Sequence, residues 1–396
     1  MNAFQRLLDM PAGEKKSKGI EFTPSEIAQQ PRMWKETASM LVERRDEALE
    51  FLRAAGLTGD GPESVLVMTG AGSSEFIGNA IVNTLRDLLQ REVLSIPTTH
   101  LVTHAAQTLV PSHNYTLLSF ARSGNSPESV AAIRQVRRAA SSLNEIVITC
   151  NKDGTLRQEA AGRSDALCLL LPPETNDQGL AMTSSYSAMA LCGIGLGFLD
   201  RPETLTELAD SAGAAVQRVL DDDADTLHEF ASLQFDRASF LGSNTLCGTM
   251  QECHLKMQEM TEGRVACRFD SFLGLRHGPQ VFVNERCAVI AALASDPQVR
   301  RYEMDLLREL QAKDQGCGML VICDRGDEAI RSVASHVVEL FPDGDAIGDG
   351  YRVLTDVVVG QVLALFKSLD VGLQPDNPST SGTINRVVKG VVIYDD

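Results

Sequence analysis

From residue 64 onward, short apolar runs alternate with segments of helical periodicity, and few folds accommodate that alternation. "SVLVMTG", "EVLSIPT", "YTLLSFA", "EIVITC" and "ALCLLLP" have the length of strands, and apolar residues at three- and four-residue spacing separate them. Strands apolar on both faces need cover on both, so the pattern predicts an α/β fold, a parallel sheet flanked by helices. The layout then recurs. "ASFLGSNTLCGTMQECHLKMQEM" (238–260) repeats the strand, small-residue turn and amphipathic helix of "SVLVMTGAGSSEFIGNAIVNTL" (64–85), and "AVIAALA", "QVRRYEMDLLRELQAK" and "GMLVICDRGDEAI" continue it. The expected division is an N-terminal helical segment over 1–60, a first α/β domain over 61–205 and a second over 206–396. In the lead, "TPSE" (23–26) reads as a capping box, with Thr23 as N-cap and Glu26 reaching back, and Gly56 reads as a C-cap.

Composition removes several function classes. At 43% hydrophobic residues the 396-residue chain can build large cores. It has no run of eighteen apolar residues that would predict a transmembrane helix, and "MNAFQRLLDMPAGEKKSKG" lacks the apolar core of a signal peptide. Nine cysteines without a CxxC pair fit reduced thiols in a cytoplasm, with Cys247, Cys253 and Cys267 as small hydrophobes. A net charge of −17 argues against nucleic acid and anionic membranes as partners. "DDDAD" (221–225) reads as a solvated acidic turn, and His100 and His104, without the glutamate of H-E-x-x-H, as structural or surface residues. No metal or organic cofactor is expected.

A local site can still hold an anion if main-chain amides and helix dipoles face it. "ARSGNSPES" (121–129) is a strand-to-helix turn rich in small hydroxyls: Gly124 lets the backbone approach a ligand, and Ser123, Ser126 and Ser129 add uncharged donors. "GAGSSE" (70–75) supplies Ser73 and Ser74 at a second such turn of the same sheet. Helix capping alone is the structural alternative. Glu75 occupies the third-glycine place of G-x-G-x-x-G, which disfavours a dinucleotide. In the second half "CDRGDEA" reads as the counterpart of the serine turn, with Asp324 and Asp327 replacing hydroxyls, so one phosphate site per chain is expected.

In "ECHLKMQE", Glu252, Lys256 and Glu259 stand at i, i+4 and i+7 on one helix face, with Leu255 and Met257 left to face the core. An exposed helix with an ordinary Glu–Lys pair has the same spacing. "LRHGPQ" (275–280) adds His277 in a turn shaped by Gly278 and Pro279; a carboxylate and an imidazole make an acid/base set.

"SGNSPES", E-x-x-x-K-x-x-E and "HGP", in this order, resemble sugar isomerase (SIS) domains, in particular the tandem isomerase module of glucosamine-6-phosphate synthase, over residues 30–396. "ARSGNSPES", "MTSSYSAMAL" and "FLGLRHGP" resemble the galactosamine-6-phosphate deaminase/isomerase (tagatose-6-phosphate ketose/aldose isomerase) branch. The resemblance implies tandem SIS domains and a phosphorylated aminosugar or ketose substrate. Glu259 would be the base between C1 and C2, with Glu252 and Lys256 beside it. His277 would open the ring, often in a neighbouring subunit's site, which implies a homodimer or larger assembly. Lys389 in "RVVKGVVIY" would contact the open-chain sugar, and Ser73, Ser74, Arg122, Ser123, Gly124, Asn125 and Ser126 would surround the phosphate. Arg122 and Asn125 depart from the synthase's amide and carboxylate, and Gly274 from its glutamate. The chain starts "MNAF" without a glutaminase segment, so release of ammonia is the expected direction. Isomerisation without amine loss and a non-catalytic sugar-phosphate sensor are the alternatives.

Overall fold

A computed structural model describes residues 1–59, 63–388 and 390–394. Among these residues the chain forms two compact units. One comprises Met1–Pro31, Asp177–Thr183 and Asp210–Ile384; the other comprises Arg32–Asn176, Ser184–Ala209 and the described residues of Asn385–Asp396. Both are discontinuous, unlike the contiguous divisions drawn from the sequence, and the helical lead is shared between them.

The unit that holds the first repeat contains β1 (Val65–Thr69), β2 (Val93–Ser95), β3 (Asn114–Ala121), β4 (Ser142–Thr149) and β5 (Ala166–Leu170) as one parallel sheet in the order β2-β1-β3-β4-β5. Val67, Leu117 and Val147 pack with Leu101 and Val136 from the covering helices. The connections after β1 and β3 run to opposite sides, which puts a switch point between these strands; in this order, ligands lie outside the carboxyl ends of the strands there.

The other unit carries β6 (Arg237–Leu241), β7 (Ala266–Asp270), β8 (Cys287–Ala292), β9 (Gly318–Cys323) and β10 (His336–Glu339), ordered β7-β6-β8-β9-β10, the same topology. Leu241, Val289 and Val321 pack with Leu306, Leu307 and Leu310 of helix 297–312. Helix 353–370 is apolar nearly all round and buried along its length. It packs on helix 245–260, and Gly360 makes the close approach possible: a Cβ there would lie 2.5 Å from Cys253 Sγ.

The lead departs from its expected capping. Helix 23–28 begins at Thr23, whose main-chain amide and hydroxyl both donate to Asp376 (2.8 and 2.7 Å), so a carboxylate distant in sequence caps it. The Glu26 carboxylate accepts instead from the amides of Gln178 and Gly179. Gly56 ends the preceding helix in the left-handed conformation, as expected. Residues 219–223 are π-helical rather than a turn; Asp221, Asp222 and Asp225 are exposed, as the acidic run suggests, and Asp223 pairs with Arg218 at 2.6 Å. None of the nine cysteines is in a disulfide. No helix among the described residues is long and apolar enough to cross a membrane.

Candidate active site

Helix 245–260 follows β6 through Gly242 and Asn244. A Cβ on Gly242 would fall 2.5 Å from the Leu246 carbonyl carbon, so only glycine lets the helix start against the strand end. Asn244 holds φ 53° and ψ −122°, nearly the geometry of Gly72 before helix 73–89 (58°, −131°). The two repeats therefore enter their first helix alike.

Much of the helix is buried, and part of its polar face with it. Glu252 and Lys256 are inaccessible, and Lys256 Nζ lies 3.3 Å from Glu252 Oε1 and 2.5 Å from Glu259 Oε2. Burial alone would lower the lysine's pKa; the two carboxylates outweigh it and the pKa rises. The ordinary surface pair that the same spacing allows is thereby excluded. Met257 enters the core as expected, but Leu255 does not. It lines a cavity of about 600 Å³ with Gln258 and Glu259, whose side chain keeps 25% of its accessibility. Glu259 is thus anchored through one oxygen by a buried ammonium and borders open space, an arrangement suited to a positioned proton acceptor. The remaining lining is Glu262, Gly263 and the hydroxyl-rich run 379–384. Lys389 lies outside the described residues.

Ser73 and Ser74 open helix 73–89 at the end of β1, and residues 122–126 link β3 to helix 127–139, so both turns stand on the carboxyl edge of adjacent strands at the switch point. Gly124 has φ 62°, and Gly154 packs so closely that a Cβ would meet the Ser123 carbonyl oxygen at 2.8 Å. Asn125 accepts from the Thr155 amide (2.9 Å) and hydroxyl (3.1 Å), bracing the turn. Arg122 is buried and donates to the Arg386 carbonyl. The hydroxyl of Ser126, expected as an uncharged donor, donates to the Glu128 carboxylate at 2.5 Å.

His277 is exposed in the turn between helix 272–275 and Pro279, where Gly278 takes φ 115°. Its ring makes no hydrogen bond among the described residues. The turn itself is firmly held: Arg276 Nε and Gln280 Nε2, on either side of the histidine, both donate to Glu309 of helix 297–312 (2.9 and 3.0 Å). The bond from Lys313, then those from Gln280 and Arg276, bring the Glu309 carboxyl down to about 2. Among the described residues, no group of three or more His, Cys, Asp or Glu is placed to hold a metal ion.

The SIS domain family profile matches residues 63–193. The D-galactosamine-6-phosphate deaminase AgaS of Escherichia coli is 34% identical over 379 residues, which cover 94% of this chain and 95% of that protein. The chain belongs to the AgaS family of SIS-domain proteins. A solved relative at 32% identity, the tagatose-6-phosphate ketose/aldose isomerase of Escherichia coli, superposes with TM-score 0.85 over 94% of this chain and 96% of that one. The C-terminal domain of glucosamine-fructose-6-phosphate aminotransferase from Francisella tularensis (17% identity, TM-score 0.73, covering 90% and 98%) shares the fold.

Within this AgaS-family fold the second sheet corrects one expected equivalence. Strand order pairs β8 with β3, so the counterpart of the serine turn is 293–296, and "CDRGDEA" after β9 matches the turn after β4. Glycine- and aspartate-rich turns follow several strands, so local similarity slipped by one strand–helix unit. Asp296, before Pro297, caps its own helix through the amides of Gln298 and Val299. The Ser295 amide bonds both oxygens of Asp349 (3.0 and 2.9 Å), and Arg352 pairs with the same carboxylate at 3.2 Å. In the second sheet an internal carboxylate thus accepts at the turn that corresponds to the serine turn. The run 379–384 and Glu262 were also missed. A hydroxyl-rich run after the last helix reads as a tail, and only its return to the cavity marks it.

Proposed function

We propose that this AgaS-family chain converts galactosamine 6-phosphate and water to tagatose 6-phosphate and ammonia, acting in the cytoplasm. The observation that carries this reading is Glu259, pinned by a buried lysine at the edge of a cavity of about 600 Å³. The names of the relatives supply the substrate class.

The turns 70–74 and 122–126 bind the phosphate through main-chain amides and the hydroxyls of Ser73, Ser74 and Ser123. His277 moves a proton between the ring oxygen and O1 and so opens the sugar. Glu259 takes the C2 proton, which the adjacent aldehyde acidifies, and returns it to C1; the enolamine becomes a 2-imino sugar, and water replaces the imine nitrogen as ammonia. Lys256 is committed to two carboxylates and orients the base, which leaves stabilisation of charge on O1 to Lys389. The exposed His277, with Leu273 and Val281 exposed on either side of it, supports a homo-oligomer in which this turn serves a neighbouring copy.

The test is to incubate the protein with galactosamine 6-phosphate in D₂O and measure ammonia, ketose and C2-proton exchange. Wild type should yield all three. Glu259→Gln should lose exchange by at least about a thousandfold while still binding the sugar phosphate. Ketose–aldose conversion without ammonia would replace the deaminase by the isomerase reading, and binding without exchange would leave a sensor.

A further inference from the structure

Helix 245–260 ends in two successive left-handed residues, Glu262 (φ 50°) and Gly263 (φ 72°). The Gly263 amide closes the helix on the Gln258 carbonyl at 2.9 Å, so the glycine completes the cap. A glutamate beside it at positive φ is strained where a second glycine would not be. Its side chain gives the reason for it. The Glu262 carboxylate accepts from the Thr380 hydroxyl (3.0 and 2.9 Å to its two oxygens), the Ser381 amide (3.2 Å) and the Ser381 hydroxyl (3.3 Å). Within the run so held, Ser381 Oγ bonds Thr383 Oγ1 at 2.7 Å and Ser379 Oγ accepts from the Ile384 amide at 3.2 Å. This braced run and Glu259 line the same cavity. The donors also keep the Glu262 carboxyl below the ordinary carboxylate range, the Ser381 amide foremost and the Thr380 hydroxyl next.

We infer that Glu262 is a positioning residue: it clasps the run 379–384 to the helix that carries the base, three residues beyond Glu259, and so fixes the wall against which the substrate is held. The inference rests on the activity proposed above. It predicts an unusual combination. Glu262→Gly relieves backbone strain, so its melting temperature should not fall, yet the wall is released: amide exchange at Ser381 should accelerate, and KM for galactosamine 6-phosphate should rise about tenfold with kcat within about threefold of wild type, the loss of one charge-assisted contact's worth of order. Glu262→Gln keeps an acceptor for the Ser381 amide and should restore KM to within about threefold. A glycine variant with faster Ser381 exchange but unchanged KM and kcat would overturn the positioning role, as would unchanged exchange. If wild type itself neither releases ammonia nor exchanges the C2 proton, the proposed activity falls instead. The clasp then stands or falls on Ser381 exchange alone, faster in the glycine variant or not.

Discussion

Lys256 is the residue on which the chemistry of helix 245–260 turns. A lysine without solvent access stays charged only because Glu252 and Glu259 flank it, and Glu252, equally buried, depends on the same ammonium. Removing one partner leaves the other uncompensated. Lys256→Met should therefore destabilise the protein by about 3–5 kcal/mol in urea denaturation and abolish turnover. Lys256→Met with Glu252→Gln should recover most of that stability without recovering activity, because Glu259 still lacks its anchor. Recovery of activity in the double variant would assign Lys256 a purely structural role.

At the scale of elements, the His277 turn owes its shape to helix 297–312. Glu309 receives Arg276 and Gln280 from one side and Lys313 from its own helix, and its carboxyl is held at about 2 against an ordinary 4.5. A carboxylate depressed in the folded state contributes stability that is present above 4.5 and lost as pH falls through about 2. Urea midpoints of wild type and Glu309→Gln should differ at pH 6 and converge as pH drops from 4.5 towards 2. A difference independent of pH would mean that the bonds act through shape and not charge. The glutamate was not identifiable from sequence: on an amphipathic helix it looks like any solvated residue, and only the packing of 272–282 against that helix reveals its partners.

For the molecule as a whole, the placement of residues 177–183 is the least local feature. They follow the first sheet in sequence but belong to the unit of the second, tied by the Gln178 and Gly179 amides to Glu26 and by the Leu180 amide to the Asp376 carbonyl. Burial, with Asp177 and Asp376 nearby, raises the Glu26 carboxyl to about 7. Stability linked to a raised group is complete below 4.5 and lost as pH rises through about 7. Wild type should therefore weaken relative to Glu26→Gln between pH 5 and 8, by up to about 1 kcal/mol per pH unit, read from denaturant midpoints. Parallel curves for the two proteins would show that Glu26 does not titrate in this range.

The strand–helix alternation of the first sheet, the doubled α/β layout and the E-x-x-x-K-x-x-E face were legible in the amino-acid sequence, because hydrophobic periodicity and helix spacing are local properties; β7 and β10, short and partly polar, were not read. Gly124 and the serine turns were legible for the same reason, since a turn's chemistry is written in adjacent residues. Whether the Glu–Lys–Glu face met solvent or core was not local: its spacing serves either, and tertiary packing buried Glu252 and Lys256 while leaving Glu259 at a cavity. Nor was the pairing of the repeats, which strand order decides, or the use of Asp349, Asp376 and Glu262 as acceptors for amides tens to hundreds of residues away. A carboxylate in a sequence has no direction. Its partner is chosen when burial makes an unpaired amide costly, and that choice is made by the tertiary structure.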